Sequence, residues 1–181
     1  FAPPKAIDIP CNVLCPGSRI SHTPKANGVY LSPNSVIDAA ASVTRAVLLP
    51  DSSIANSSVT TDVLLQWDTS IAANSSVASA LLMEQCHVGP NSVVHSAILG
   101  PDTHVSCGEV HATLLGPNTN AHHQSLLIGV LWPLGRGNTG YGSNVGSNHT
   151  SRLPDQECAS GEGTFWGLSC SVKFPVDVTW A

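Results

Sequence analysis

What this sequence has least of is charge: acidic and basic residues together make up 10% of it, and aromatic residues 5%. An ordinary globular domain is about one-quarter charged. Ser, Asn, Thr, Gly and Pro fill the deficit, so the expected surface is polar but neutral. Seven Lys and Arg against twelve Asp and Glu leave a net charge of −5, with no basic run anywhere. Binding to nucleic acid through phosphate neutralisation is therefore excluded as a reading. No apolar stretch approaches the roughly 18 residues of a transmembrane helix, so no membrane span is expected. The chain starts at Phe1 without an initiator Met or a signal-peptide pattern. The expectation is a piece of a longer polypeptide, with removal of a targeting segment as the alternative; an intracellular setting is favoured, and an organellar one stays open. Six cysteines, Cys11, Cys15, Cys86, Cys107, Cys158 and Cys170, are read as reduced thiols. Cys11 and Cys15 have no matching second half, which argues against a zinc knuckle.

What is present is 42% hydrophobic residues in 181, enough for one domain with a continuous core and too apolar for a disordered chain. The middle of the chain repeats. Pro50-Asp51-Ser52-Ser53-Ile54 aligns with Trp67-Asp68-Thr69-Ser70-Ile71 and with Glu84-Gln85-Cys86-His87-Val88. Pro101-Asp102-Thr103-His104-Val105 and Pro117-Asn118-Thr119-Asn120-Ala121 complete the series, at spacings of 17, 17, 17 and 16. Within a repeat, apolar residues fall four or five apart: Ile54, Val59 and Val63; Val88, Val93 and Ile98; Val105, Val110 and Leu114. Three per repeat imply three short strands per coil, each sending one side chain into a triangular interior. Gly, Asn and Pro between them suit tight corners and defeat a helix of 3.6-residue period.

This pattern resembles the LpxA-like hexapeptide-repeat superfamily. The resemblance implies an all-β fold, a single-stranded left-handed parallel β-helix with three sides and coils of about 17 residues. The left hand comes from the resemblance, since the crossover rule alone favours the right hand. Three stretches follow: 1–30 as an irregular N-terminal coil or cap, 31–128 as the repeats, and 129–181 as a Gly/Asn-rich loop with further coils. Relatives of this kind commonly self-associate, so further copies or other protein subunits are the expected partners.

After Ala121 the character changes to dense, non-repeating polar detail, the kind of segment in which sites are sought. The elements His122-His123-Gln124-Ser125, Gly142-Ser143-Asn144-Val145-Gly146-Ser147-Asn148-His149-Thr150 and Pro154-Asp155-Gln156-Glu157 stand out. Gly161-Glu162-Gly163-Thr164-Phe165 and Lys173-Phe174-Pro175 follow. These elements resemble an uncharacterised bacterial and algal family of larger hexapeptide-repeat proteins. That likeness implies a β-helix within a longer protein and carries no reaction.

Three functions compete. Hexapeptide-repeat acyltransferases use a His as general base on a sugar hydroxyl or amine. By that resemblance His122 or His123 is the candidate base, with Asp155, Glu157 or Glu162 orienting it and acyl-CoA or a nucleotide sugar as ligand. Ser125, Asn144, Asn148 and His149 are candidate ligand contacts. Arg136, Arg152 and Lys173 could hold an anionic group, or instead balance Asp155, Glu157 and Glu162 in ion pairs. The second reading is a non-catalytic scaffold or assembly subunit that docks other proteins on flat sheet faces, which the neutral Ser/Asn/Thr surface suits. The third is a zinc enzyme resembling the γ-class carbonic anhydrases. His87 and His104, and His95 and His111, recur at coil spacing and should stack about 4.8 Å apart, but zinc needs three or four converging ligands and the sequence offers pairs. No metal is therefore assigned.

Remaining motifs receive plainer readings. Gly135–Ser147 lacks the Gly-Lys-Ser/Thr of a phosphate loop. Gly137-Asn138-Thr139-Gly140 reads as backbone that approaches a ligand, another chain or its own core. Asn56, Asn74 and Asn148 match glycosylation sequons but read as turn residues. Trp132, Trp166 and Trp180, with Phe165 and Phe174, read as a cap over the solenoid end or an interface.

Overall fold

A computed structural model describes residues 11–146, 158–172 and 175–180. Every strand pairing in it is parallel, and among the described residues there is no helix. One sheet of nine strands forms the first face of a solenoid, from Arg19–Ser21 through Val36–Asp38, Ser53–Ala55 and onward to Phe165–Trp166. Nine coils are therefore stacked along it. A second, 15-stranded sheet supplies the other two faces. The faces are continuous where Ala26–Leu31, Ser42–Leu48, Val59–Leu65 and Ser76–Leu82 each turn a corner within one strand. From Val93–His95 and Ile98–Leu99 onward the strand breaks at that corner. The chain is a parallel β-solenoid, and its coils run beyond residues 31–128 in both directions.

The interior is a set of ladders. On the first face Ile20, Ile37, Ile54, Ile71, Val88, Val105 and Ala121 lie above one another. On the second face Val43, Thr60, Val77, Val94, Val110, Leu127 and Val145 do the same. Leu31, Leu48, Leu65, Leu82, Leu99, Leu115 and Trp132 form the third. All of these except the half-buried Ile20 are fully buried or nearly so. β-branched and Leu side chains of similar size stacked at strand spacing fill the prism, so few aromatics are needed.

Here the sequence expectation needs correcting. Ile54, Val63, Val88, Val105 and Val110 point inward, but Val59 is 45% exposed and Ile98 43% exposed. Val93 and Leu114 are also only half-buried, while Thr60, Val94, Leu99 and Leu115 take the inward places. Successive strand residues face opposite sides, so an error of one residue exchanges inside for outside.

The corners explain the polar composition. Asn34, Asp51, Asp68, Gln85, Asp102 and Asn118 occupy one corner of six successive coils with φ between 54° and 64°. Asn and Asp tolerate that left-handed region better than most side chains. Asn56 and Asn74 sit at the next corner, also with positive φ, as their reading as turn residues required. Small hydroxyls then stitch coil to coil from inside. Ser35, Ser52 and Thr69 donate to the carbonyls of Leu49, Gln66 and Met83 at 2.9, 2.6 and 2.9 Å. Cys86 fills the same slot with its thiol directed at Gly100 O at 3.0 Å. Burial pushes that thiol up to about 11, so it stays protonated and acts as a weak donor. All six cysteines are free thiols.

Trp132 is no cap: it is fully buried in the wall of its coil and donates its indole N–H to Gly161 O at 2.8 Å. Gly137 makes the room, because a Cβ there would collide with the Trp132 ring and lie 2.6 Å from Thr164 O. The close approach expected of 137–140 is thus to the protein's own core. Trp166 is half-buried and Trp180 is 98% exposed.

Candidate functional site

Two features of the outer surface depart from the regular solenoid. The first is a notch at the corner between the first and second faces. Five positions separate Val88 from Val93, and five separate Ala121 from Leu126, but only four separate Val105 from Glu109. The 16-residue coil therefore loses its residue at the Cys107-Gly108 corner. The gap is a cavity of about 260 Å³ lined by Asn91, Val93, Cys107, Gly108, Glu109, Gln124, Ser125 and Leu126. Glu109 accepts a hydrogen bond from His111 Nε2 at 2.8 Å, and Tyr141 donates to Gln124 Oε1 at 3.2 Å. Ser125 is 2% exposed, and its hydroxyl is buried without a hydrogen-bond partner.

Residues singled out in the sequence distribute over two edges of the first face. His123 is an exposed corner residue with φ 59°, and its amide donates to Ser106 O at 3.0 Å. It stands two residues before Ser125, and its neighbour Gln124, but not His123 itself, lines the notch. The strand Asn120–His122 places the His122 backbone beside Ser106, and its side chain lies outside the described residues. Asn144 continues the second face directly above Leu126, with its side-chain oxygen buried and unpartnered. Arg136 and Glu162 lie at the other edge of the first face, paired with each other at 3.0 Å. Asn148, His149, Arg152, Asp155, Glu157 and Lys173 lie outside the described residues. The structure thus brings His123, Ser125 and Asn144 to neighbouring coils and places the Arg136–Glu162 pair elsewhere.

The two histidine pairs stack as the spacing required. Ring centroids are 4.9 Å apart for His87 and His104 and 5.8 Å apart for His95 and His111. Each ring has a local partner: Ser70 for His87, Asp102 for His104, Ser96 for His95 and Glu109 for His111. Among the described residues no group of three or more His, Cys, Asp or Glu is placed to hold a metal ion. These are hydrogen-bonded surface ladders.

The second feature was missed by reasoning from sequence. On the outside of the third face Val13, Tyr30, Val47, Leu64, Leu81, Ile98, Leu114 and Leu131 stack rung on rung. Leu131 is 41% exposed and Ile98 43%, and Tyr30, Val47, Leu64, Leu81 and Leu114 are half-buried. Ala159 continues the ladder, and the first charge on it is Asp177. The first face carries Ser53, Ser70, His87, His104, Asn120 and Asn138 in the equivalent outward row. The signal was present as apolar dipeptides at coil spacing: Val47-Leu48, Leu64-Leu65, Leu81-Leu82, Ile98-Leu99, Leu114-Leu115 and Leu131-Trp132. A strand with one wet face needs only the second member of each pair.

The rims of this face differ. Asp51, Asp68 and Asp102 form an acidic row at the corner with the first face, beside the 51% exposed Trp67. At the corner with the second face Arg45 and Asp62 neutralise each other through two hydrogen bonds, at 2.5 and 2.7 Å. The guanidinium holds the Asp62 carboxyl below the usual carboxylate range.

The fold therefore defines a β-solenoid with one apolar outer face among the described residues. No family model matches the chain. A stretch of 69 residues, 38% of the chain, is 35% identical to an uncharacterised protein of Treponema pallidum (strain Nichols). That stretch spans 10% of the Treponema protein. Among the described residues no helix is long and apolar enough to cross a membrane.

Proposed function

We propose that this chain is a non-catalytic assembly module, a solenoid whose third face docks another protein surface. The observation that carries the reading is the outer apolar ladder from Val13 to Leu131. Scattered exposed hydrophobes need no explanation, but a contiguous apolar face on a soluble surface marks an interaction site. The regular hydroxyl-stitched core makes that face stiff, so docking orders little chain. The test is the size of the native assembly in the source cells, compared between the wild type and an Ile98→Lys/Leu131→Lys variant. Loss of the variant from the larger species is expected, while Val59→Lys on the second face leaves it in place. An unchanged distribution for the double variant removes the assembly reading.

A second reading rests on the notch. Acyl transfer with His122 or His123 as general base, and acyl-CoA or a nucleotide sugar as ligand, is supported by the cavity that Gln124 and Ser125 line, one and two residues after His123. Calorimetric titration with CoA and with a uridine-diphosphate sugar checks it. Saturable binding that Gln124→Ala weakens favours transfer chemistry, and no heat with either ligand sinks it.

A further inference from the structure

We propose that the surface docked on the third face is a second copy of this chain, with the two solenoids parallel and in register; this rests on the assembly reading above. Two arguments select that occupant, and a third sets its orientation. From Val13 to Ala159 the outward rungs carry no charge, so a partner cannot be recognised there by charge and has to be recognised by shape. The shape is a row of one side chain per coil, repeating at about 4.8 Å along the solenoid axis. A surface that meets that row rung for rung over its whole length must share its period, and this face is itself such a surface.

Area is the second argument. Eight rungs at strand spacing give a length of about 38 Å, and one side of a 17-residue coil gives a width of about 19 Å. Face-to-face contact would then cover about 700 Å² on each copy, or ~1,400 Å² in all, within the class of specific interfaces.

Charge at the rims settles the orientation. A two-fold axis parallel to the solenoid brings the acidic row of Asp51, Asp68 and Asp102 beside the other copy's neutral Arg45–Asp62 corner. A two-fold axis across the solenoid would set Asp51 of each copy against Asp102 of the other, in a chain that already carries −5. The parallel arrangement also sets each rung against the same rung of the second copy, the isologous pattern of a two-fold dimer.

The experiment is sedimentation velocity on the purified chain, with oxidative cross-linking as a second readout. The wild type is expected to dimerise at tens of micromolar, and Ile98→Lys/Leu131→Lys to raise the dissociation constant at least 100-fold, while Val59→Lys leaves it unchanged. With the exposed Cys11 and Cys107 replaced by Ser, Ile98→Cys is expected to give a covalent dimer and Val59→Cys none. A wild type that stays monomeric at about 100 μM overturns the second copy. The same result leaves assembly with a different protein standing, because the native-size measurement is separate. A dimer that survives the charged variant, or one in which Ile98→Cys does not cross-link, also overturns the proposal.

Discussion

Exchanging the hydroxyl of Thr60 for a methyl should stabilise this protein. Thr60 lies fully buried on the inner side of the second face, between Val43 and Val77 of the neighbouring coils. Its hydroxyl has no hydrogen-bond partner. A buried unsatisfied hydroxyl costs about 1–3 kcal/mol, and Val keeps the branched shape and the strand rotamer of Thr. Thr60→Val is therefore expected to add ~1–2 kcal/mol, which for a chain of this length raises Tm by about 3–6 °C. The neighbouring change works in the opposite sense of the register. Val59 is 45% exposed, so Val59→Thr should fall within about 0.5 kcal/mol of the wild type. Thermal unfolding followed by circular dichroism measures both. If Thr60→Val lowers Tm, or Val59→Thr costs more than about 1 kcal/mol, the inward and outward positions are exchanged and the ladder described above is wrong.

Three further outcomes follow from the core and corners. Gly137→Ala puts a methyl into the Trp132 ring, so overpacking of ~1–3 kcal/mol and a red-shifted Trp132 emission are expected. Gly167→Ala, with nothing within 4 Å of the new Cβ, should change neither reading. The Cys86 thiol, pushed up to about 11 by burial, should resist a thiol reagent at neutral pH in the native state while exposed Cys107 reacts; equal rates would contradict its burial. Asp62 has a folded-state pKa below its unfolded one, so its ionised form contributes stability above the unfolded value. That contribution is lost as pH falls through the folded value. The wild type should exceed Asp62→Asn by less than about 1 kcal/mol at neutral pH, with the gap closing in acid, and a gap that widens in acid would refute the pairing.

Much of the fold could be read from repetition. The 17-residue step, the Asn and Asp corners, the stacked His87–His104 and His95–His111 pairs and the single 16-residue coil all follow from aligning like with like. The register did not, because strands of two or three residues are too short to show alternation. Leu64-Leu65 or Ile98-Leu99 offers two apolar residues of nearly equal claim to the interior. Choosing Ile98 and Leu114 as inward residues hid the outer ladder, since those positions belong to it, and choosing Val59 and Val93 made the same exchange on the second face. The notch was unreadable for a different reason: it comes from a residue missing at Cys107-Gly108, and the space it leaves is visible only once coils 88–93 and 121–126 flank it. Trp132 looked like a cap because aromatics cluster late in the chain, yet its room is made by Gly137 in the following coil.

The central claim is that each apolar pair sends its second member in and its first out. Residue-resolved hydroxyl-radical footprinting of the dilute, native chain tests it most directly. Oxidation is expected at Ile98, Leu131 and the exposed Trp67 and Trp180, with protection of Leu99, Leu115 and the fully buried Trp132. Oxidation of Leu99 and Trp132 with protection of Ile98 and Leu131 would contradict the register, and with it the apolar face and everything proposed to dock there.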